Sequence, residues 1–167
     1  MFELKPISTG AIPAALAKAE RYRLLNEPGA AESICLDILD VEPDHQGALV
    51  NLLLARTDRF TETMASGLLK AQEVLPRLQD RFARAYYEGV IYERHATALL
   101  RSGRPGTGAM AYEAFRTAME HYERALGLRP GDSDEAALRW NTCARILNDS
   151  PHLAPRGEDR YEPVLDD

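Results

Sequence analysis

The sequence has few of the features expected of an exported or membrane-spanning protein. It contains two cysteines, Cys35 and Cys143, both at apolar positions of predicted helices. Free, buried thiols in a reducing compartment are therefore expected instead of a disulfide framework. No apolar run reaches the length of about 18 residues that a membrane span needs, and MFELKPISTG lacks the apolar core of a signal peptide. We expect a cytoplasmic protein that does not bind membranes.

Positive charge is also too scarce for general nucleic-acid binding. The chain has 20 Lys and Arg against 26 Asp and Glu, a formal net charge of -6, whereas binding to a phosphate backbone needs clustered cations. The exception is a stripe of Arg77, Arg81 and Arg84 at the start of a long helix predicted over residues 78–102. Two interpretations stay open: a solvated face paired with Asp80 or Glu88, or a site for an acidic peptide or a phosphate group.

Motifs of catalysis and cofactor binding are absent. The glycine-rich stretch RSGRPGTG, residues 101–108, has no following lysine and no preceding strand, so it lacks the parts of a phosphate-binding loop and predicts a turn between two helices. The four histidines lie in separate segments without metal-ligand spacing. No nucleophile has an evident base beside it. The sequence predicts a non-catalytic protein without cofactor or metal.

What the chain does contain is a recurring spacing of small, aromatic and proline residues. In AMEHYERALGLRPGD, Ala118, Tyr122 and Ala125 share one helical stripe because steps of three and four residues recur on one face. Pro130 is expected to end that helix, and Asp132 with Glu135 to cap the next one. The spacing recurs upstream at Ala31, Cys35, Ile38 and Pro43, and again at Met64, Leu68, Ala71 and Pro76.

A second signature, a small residue three positions before a tyrosine, precedes two of these copies. It occurs at Ala19 and Tyr22 and again at Gly89 and Tyr92. Together these residues resemble the tetratricopeptide repeat family, whose unit is a helix hairpin of about 34 residues. The resemblance implies an all-α solenoid of about three repeats, with the first two over residues 14–43 and 46–76.

The remaining segments complete the predicted domain organisation. A helix over residues 133–147 is expected to cap the last repeat, with Trp140 as its packing anchor or, alternatively, as a stacking surface for a ligand. The capped repeat domain then covers residues 1–149. Residues 150–167 form a proline-rich, acidic tail that cannot continue as a long helix.

The resemblance implies a function as well as a fold. In this family the first helix of each pair lines a concave groove that binds a partner peptide or helix, so an adaptor or chaperone-like protein-protein interaction module is expected. Placing the first helices in the family orientation predicts these partner-binding residues: Glu20, Arg23, Val50, Asn51, Leu54, Tyr86, Val90, Arg94 and Asn141.

Other assignments of function stay open at this point. The chain could be a structural subunit of a homo-oligomer, and it is similar in size, acidity and repeat number to bacterial secretion chaperones. The segment YEPVLDD, residues 161–167, joins apolar anchors to acidic side chains and itself has the form of a groove ligand. We therefore also expect self-association through the tail, within one chain or between two.

Overall fold

The computed structural model describes residues 2–155, apart from the side chains of Met64 and Ala65. All regular structure in this part of the chain is helical, which confirms the predicted all-α class. The α-helices are α1 Ile12–Leu24, α2 Pro28–Val41, α3 Gln46–Asp58, α4 Phe60–Gln72, α5 Arg81–Ser102, α6 Thr107–Leu126 and α7 Glu135–Asp149. Short 3-10 turns lie at Thr9–Ala11, Leu75–Arg77 and Pro151–Leu153. Residues 161–167 and most of the predicted tail lie outside the described residues.

The helices pack in the order in which they occur along the chain. Each of α1 to α6 contacts the helix that follows it. In addition, α1 contacts α3 and α3 contacts α5, whereas no comparable contact joins α2 to α4 or α4 to α6 within the described residues. The odd-numbered helices α1, α3 and α5 therefore lie side by side.

The ends of α5 show how the sequence sets the helix boundaries. Asp80 caps the N-terminus, because its carboxylate accepts hydrogen bonds from the backbone N–H of Phe82 at 3.1 Å and of Ala83 at 3.2 Å. Gly103 follows the helix with φ +60°, a left-handed conformation that glycine adopts without strain. The predicted turn between α5 and α6 is present and covers residues 103–106 of the stretch 101–108.

Most of the stripe positions predicted from the repeated spacing are buried. In the third copy Ala71 is buried and Leu68 is half-buried, and the side chain of Met64 lies outside the described residues. Ala118, Tyr122 and Ala125 have no exposed surface, and Ala31, Cys35 and Ile38 of the earlier copy are equally buried. The close approach of α5 to α6 explains why one of the predicted small residues, Gly89, is a glycine. A Cβ atom at Gly89 would lie 2.5 Å from the ring of Tyr122, so only glycine lets α5 and α6 pack this closely.

The buried residues form two clusters. The first lies between α1, α2, α3 and α4, with one side of α5, and its largest members are Ile38, Leu49, Leu52, Leu53 and Phe60. The second lies between α5, α6 and α7 and includes Phe82, Val90, Phe115, Met119, Tyr122 and Cys143. Leu54 and Tyr87 pack against both clusters, so they mark the boundary between the two halves.

Both cysteines are free and buried, as predicted. Burial raises the pKa of Cys35 to about 11, a rise that Arg23 opposes and Glu32 adds to. Burial also raises the pKa of Cys143 to about 12, with a further contribution from Glu93. Both thiols are therefore protonated at neutral pH, in keeping with a packing role.

Three details near α7 differ from the predictions. Helix α6 ends at Leu126, well before Pro130, because Gly127 is a poor helix residue. Helix α7 begins at Glu135 after Asp134, so Asp132 is not its cap. Trp140 does pack against the second core cluster, but it is only half-buried and its Nε1 donates to Glu123 Oε1 at 3.0 Å. Cys143 and Ala136 are the fully buried residues of this helix.

None of the helices in residues 2–155 combines the length and apolar composition that a membrane span requires.

Candidate partner-binding surface

The side chains of α1, α3 and α5 meet at a mixed polar and apolar surface. It is formed by Arg23, Leu54, Asp58, Tyr87 and Arg94, and we call it the odd-helix surface. All five side chains are partly exposed. Arg23 and Arg94 both bind Asp58 directly, and the Leu54 carbonyl accepts a hydrogen bond from Arg94 Nη1 at 3.3 Å.

Asp58 is the centre of this surface. Its Oδ2 accepts a hydrogen bond from Arg23 Nε at 2.8 Å, and its Oδ1 accepts one from Arg94 Nη1. The same Nη1 donates to Thr57 Oγ1 at 2.7 Å. One carboxylate at the end of α3 thereby joins α1 to α5, and it fixes the positions of two guanidinium groups.

The electrostatic environment of Arg94 is only partly neutralised. Burial lowers the pKa of this guanidinium, and Arg23 and Arg139 lower it further, although the bond to Asp58 acts in the opposite direction. The influence of Arg139 shows that α7 also contributes to the field at this surface.

A second charge cluster ties α7 to the other helices. Glu93 of α5 is 7% exposed, and its carboxylate accepts hydrogen bonds from the Tyr122 hydroxyl at 2.5 Å and from Arg139 Nη1 at 3.0 Å. Burial raises the pKa of Tyr122, and the Glu93 carboxylate raises it further. Burial lowers the pKa of Arg139, but Glu93, Tyr86 and Tyr122 together outweigh that effect, so the pKa is raised.

Several predicted site residues are brought together by the fold. Arg23, Leu54 and Arg94 meet at the odd-helix surface, as described above. Glu20 is exposed one turn earlier on α1, and its Oε1 lies 3.4 Å from Asn51 Nδ2. Asn51 itself is 6% exposed and also donates to the Gly47 carbonyl at 3.0 Å. Its amide therefore forms a shorter bond within α3 and a longer one to α1.

The other four predicted residues have different surroundings. Val90 is wholly buried in the second core cluster, so the prediction that it faces a groove is wrong; its apolar side chain packs between α5 and α6. Val50 is half-buried against the first cluster. Tyr86 lies in an aromatic group, with its ring stacked on Phe82 at 5.7 Å between centroids. Asn141 is exposed on α7.

The sequence analysis missed the residue of α7 that reaches the neighbouring helices. Arg139 contacts Glu93, whereas Asn141, two residues later, lies on another side of the helix. Glu93 itself could have been found, because it stands four residues after Gly89 and therefore shares a helix face with that predicted packing position. A carboxylate at such a position requires a partner. Asp58 carried no comparable signal, since it stands at an ordinary helix end.

The arginine stripe of Arg77, Arg81 and Arg84 lies at the start of α5, away from the odd-helix surface. Arg77 Nη2 donates to the Pro43 carbonyl at 2.6 Å. Arg81 and Arg84 line an open hollow of about 870 Å³ with Glu88 and Arg124. Neither Arg81 nor Arg84 forms an ion pair with another residue in the described part of the chain, and Glu88 pairs with Arg124 instead. The expected pairing with Asp80 or Glu88 is therefore not observed.

In the described residues, no three His, Cys, Asp or Glu side chains are grouped closely enough to hold a metal ion.

No protein-family model, curated protein or solved structure matches this chain. The chain is therefore classified by its own structure, as an all-α protein with an arginine-rich surface between helices α1, α3 and α5.

Proposed function

We propose that this chain is a cytoplasmic, non-catalytic protein-protein interaction module, built as a tetratricopeptide-like stack of three helix hairpins. The pairs are α1 with α2, α3 with α4, and α5 with α6, and α7 covers the last pair. The sequential packing of neighbouring helices supports this arrangement. So do the additional contacts between odd-numbered helices, because a curved stack brings its inner helices together and separates the outer ones.

The observation that carries the proposal is the bridge formed by Asp58. A single carboxylate of α3 binds an arginine from α1 and another from α5, so the inner surface of three consecutive hairpins is held in one conformation. A surface that is ordered before a partner arrives loses less entropy on binding.

The chemistry of the odd-helix surface suits a peptide from a partner protein. Leu54 and Tyr87 offer apolar contact area, while Arg23 and Arg94 offer hydrogen-bond donors beside them. Binding surfaces typically combine apolar or aromatic anchors with a few oriented polar groups. We propose that the partner contributes an extended segment or one face of a helix, and that no cofactor is needed.

Selection of peptides from a displayed library of short linear sequences tests this function. The affinities of the selected peptides are then compared in wild type, Glu20→Lys and Glu120→Lys. Both glutamates are exposed, but Glu20 borders the odd-helix surface and Glu120 lies on α6, an outer helix of the proposed stack. We expect Glu20→Lys to change the affinity by about tenfold, equal to about 1.4 kcal/mol, and Glu120→Lys to leave it unchanged. Equal effects in both variants would show that peptides bind elsewhere.

A second candidate function, that of a homo-oligomer subunit, has one specific observation in its favour. Leu24 and Leu25 at the end of α1 are 88% and 61% exposed. Leu25 also lines a hollow with Ala14, Ala17, Tyr22 and the two cations Lys18 and Arg21. Exposed apolar area of this kind often lies at interfaces. Measurement of mass in solution distinguishes the two functions, because Leu24→Glu would dissociate a dimer that uses this face.

A further inference from the structure

A polar pocket lies at one end of the odd-helix surface, where α1 and α3 end and α4 begins. We call it the Arg94 pocket. It has a volume of about 500 Å³, and its polar side chains include Arg23, Asp58, Thr61, Arg94, Thr97 and Arg101. A smaller hollow of about 190 Å³ shares Thr61 and Arg101 with it and adds Arg104.

The arginines of the Arg94 pocket keep unused hydrogen-bond donors. Arg23 uses its Nε and Arg94 uses its Nη1 in the bonds described above. The remaining guanidinium nitrogens of both residues have no acceptor among the described residues, and Arg101 forms neither a hydrogen bond nor an ion pair there. Asp58 therefore orients two guanidinium groups while leaving most of their donors available to a ligand.

The charge of the Arg94 pocket contrasts with that of the chain. Three guanidinium groups face one carboxylate, which leaves an excess of two positive charges in a protein whose formal net charge is -6. The side chains of Arg23 and Arg94 are only 17% and 26% exposed, so solvent screens them less than it screens fully exposed charges. An anion bound here would meet a field that is concentrated by the surrounding protein.

We propose that the Arg94 pocket binds the phosphate group of a phosphorylated segment of the partner protein. A phosphate monoester carries a charge of about -1.5 to -2 near neutral pH, which matches the excess of two positive charges. A side-chain carboxylate would neutralise only half of it. The phosphate oxygens can accept from the free donors of Arg23, Arg94 and Arg101 together. Guanidinium forks fit this geometry well.

The inference deepens the proposed function and rests on it, because the Arg94 pocket shares Arg23, Asp58 and Arg94 with the odd-helix surface. The hollow lined by Arg81, Arg84 and Arg124 has the same excess of charge. All three of its arginines are exposed, however, whereas only Arg101 is exposed in the Arg94 pocket. No carboxylate orients Arg81 or Arg84 among the described residues. We therefore assign the phosphate to the Arg94 pocket.

Binding of four small probes to the full chain tests the proposal by calorimetry. The probes are blocked tripeptides with phosphoserine, serine or glutamate between two glycines, and inorganic phosphate, at constant ionic strength. We expect the phosphoserine peptide to bind at least about tenfold more tightly than the serine and glutamate peptides. We expect it also to bind more tightly than inorganic phosphate, since the peptide adds contacts on the odd-helix surface.

Substitution of Arg101 locates the site. Arg101→Gln should weaken binding of the phosphoserine peptide by about tenfold, and Arg145→Gln, at another exposed arginine, on α7, should have no effect. Equal binding of phosphoserine and glutamate peptides, or an unchanged affinity in Arg101→Gln, would overturn the phosphate site. Inorganic phosphate binding as tightly as the peptide would overturn the assignment to a peptide. Library-selected peptides that still bind in these cases would leave the proposed function intact.

Discussion

The two halves of the molecule are stabilised in different ways. Helices α1 to α4 have 13 or 14 residues each and enclose a mainly aliphatic cluster around Leu49 and Leu52, with Phe60 as its one fully buried ring. Their ion pairs, such as Arg56 Nε to Glu32 Oε1 at 3.0 Å, lie outside that cluster. Helices α5 and α6 have 22 and 20 residues and enclose aromatic rings together with the buried carboxylate of Glu93.

The helices of the two halves are therefore held together by different interactions. The first half relies mainly on apolar packing, and its buried polar side chains, Asn51 and Thr57, are uncharged. In the second half, the Glu93 carboxylate loses hydration and must keep both Tyr122 and Arg139 as partners. We infer that this requirement fixes the position of α7 on α5 and α6, because a shifted helix would leave a buried charge unpaired.

Removal of the Tyr122 ring should have the largest effect on stability. The ring is fully buried, so Tyr122→Ala removes a large apolar contact and leaves a cavity beside Glu93. We expect a loss of about 3–5 kcal/mol in the free energy of unfolding, measured with denaturant. Tyr112→Ala on the same helix is the control, because that ring is only half-buried. A loss below about 1 kcal/mol for Tyr122→Ala would contradict the assigned packing.

Two glycines should respond in opposite directions to the same substitution. In Gly89→Ala the new Cβ meets the fully buried Tyr122 ring, which has little room to move, so we expect destabilisation by about 1–3 kcal/mol. In Gly29→Ala, on α2, the new Cβ meets no atom within 4 Å, and we expect stabilisation by about 0.5 kcal/mol. Thermal unfolding of the two variants measures both signs. Equal shifts in melting temperature for the two variants would mean that α5 and α6 can move apart to make room for the added methyl group.

Substitution of one carboxylate in each half tests the distinction directly. Glu93→Gln weakens the hydrogen bonds to Tyr122 and Arg139 at a buried site, and we expect a loss of about 1–3 kcal/mol. Glu32→Gln weakens the ion pair with Arg56 in the first half. Both side chains of this pair keep some contact with water, so we expect a loss below about 1 kcal/mol in the free energy of unfolding. Denaturant midpoints at constant salt give the comparison. A larger loss for Glu32→Gln would reverse the distinction between the halves.

The sequence was sufficient for the helices and the buried stripes but not for most of the candidate site. Ala118, Tyr122 and Ala125 could be predicted because helical periodicity is a local property of the chain. The bonds of Asp58 to Arg23 and Arg94 join residues 35 and 36 positions apart, and no local spacing encodes them. Val90 was misplaced for a related reason: a helix with neighbours on several sides buries more than one stripe.

The smallest predicted effect concerns pH at the contact between the halves. The His95 ring of α5 packs edge-on against Phe60 of α4, with centroids 6.0 Å apart, and its buried Nδ1 has no partner among the described residues. Burial lowers the pKa of His95 below its ordinary value of 6.5. The folded state therefore favours the neutral ring, so stability is retained above the ordinary pKa and falls as the solution is acidified through that range.

We expect the melting temperature to fall between about pH 7.5 and pH 5.5, and His95→Gln to show a smaller fall. His121 contributes in the same direction, because burial lowers its pKa while Glu88 opposes the shift, so some pH dependence should remain in the variant. Scanning calorimetry across this range measures the difference. If wild type and His95→Gln lose stability in parallel, protonation of His95 does not weaken the contact between the first half of the molecule and the second.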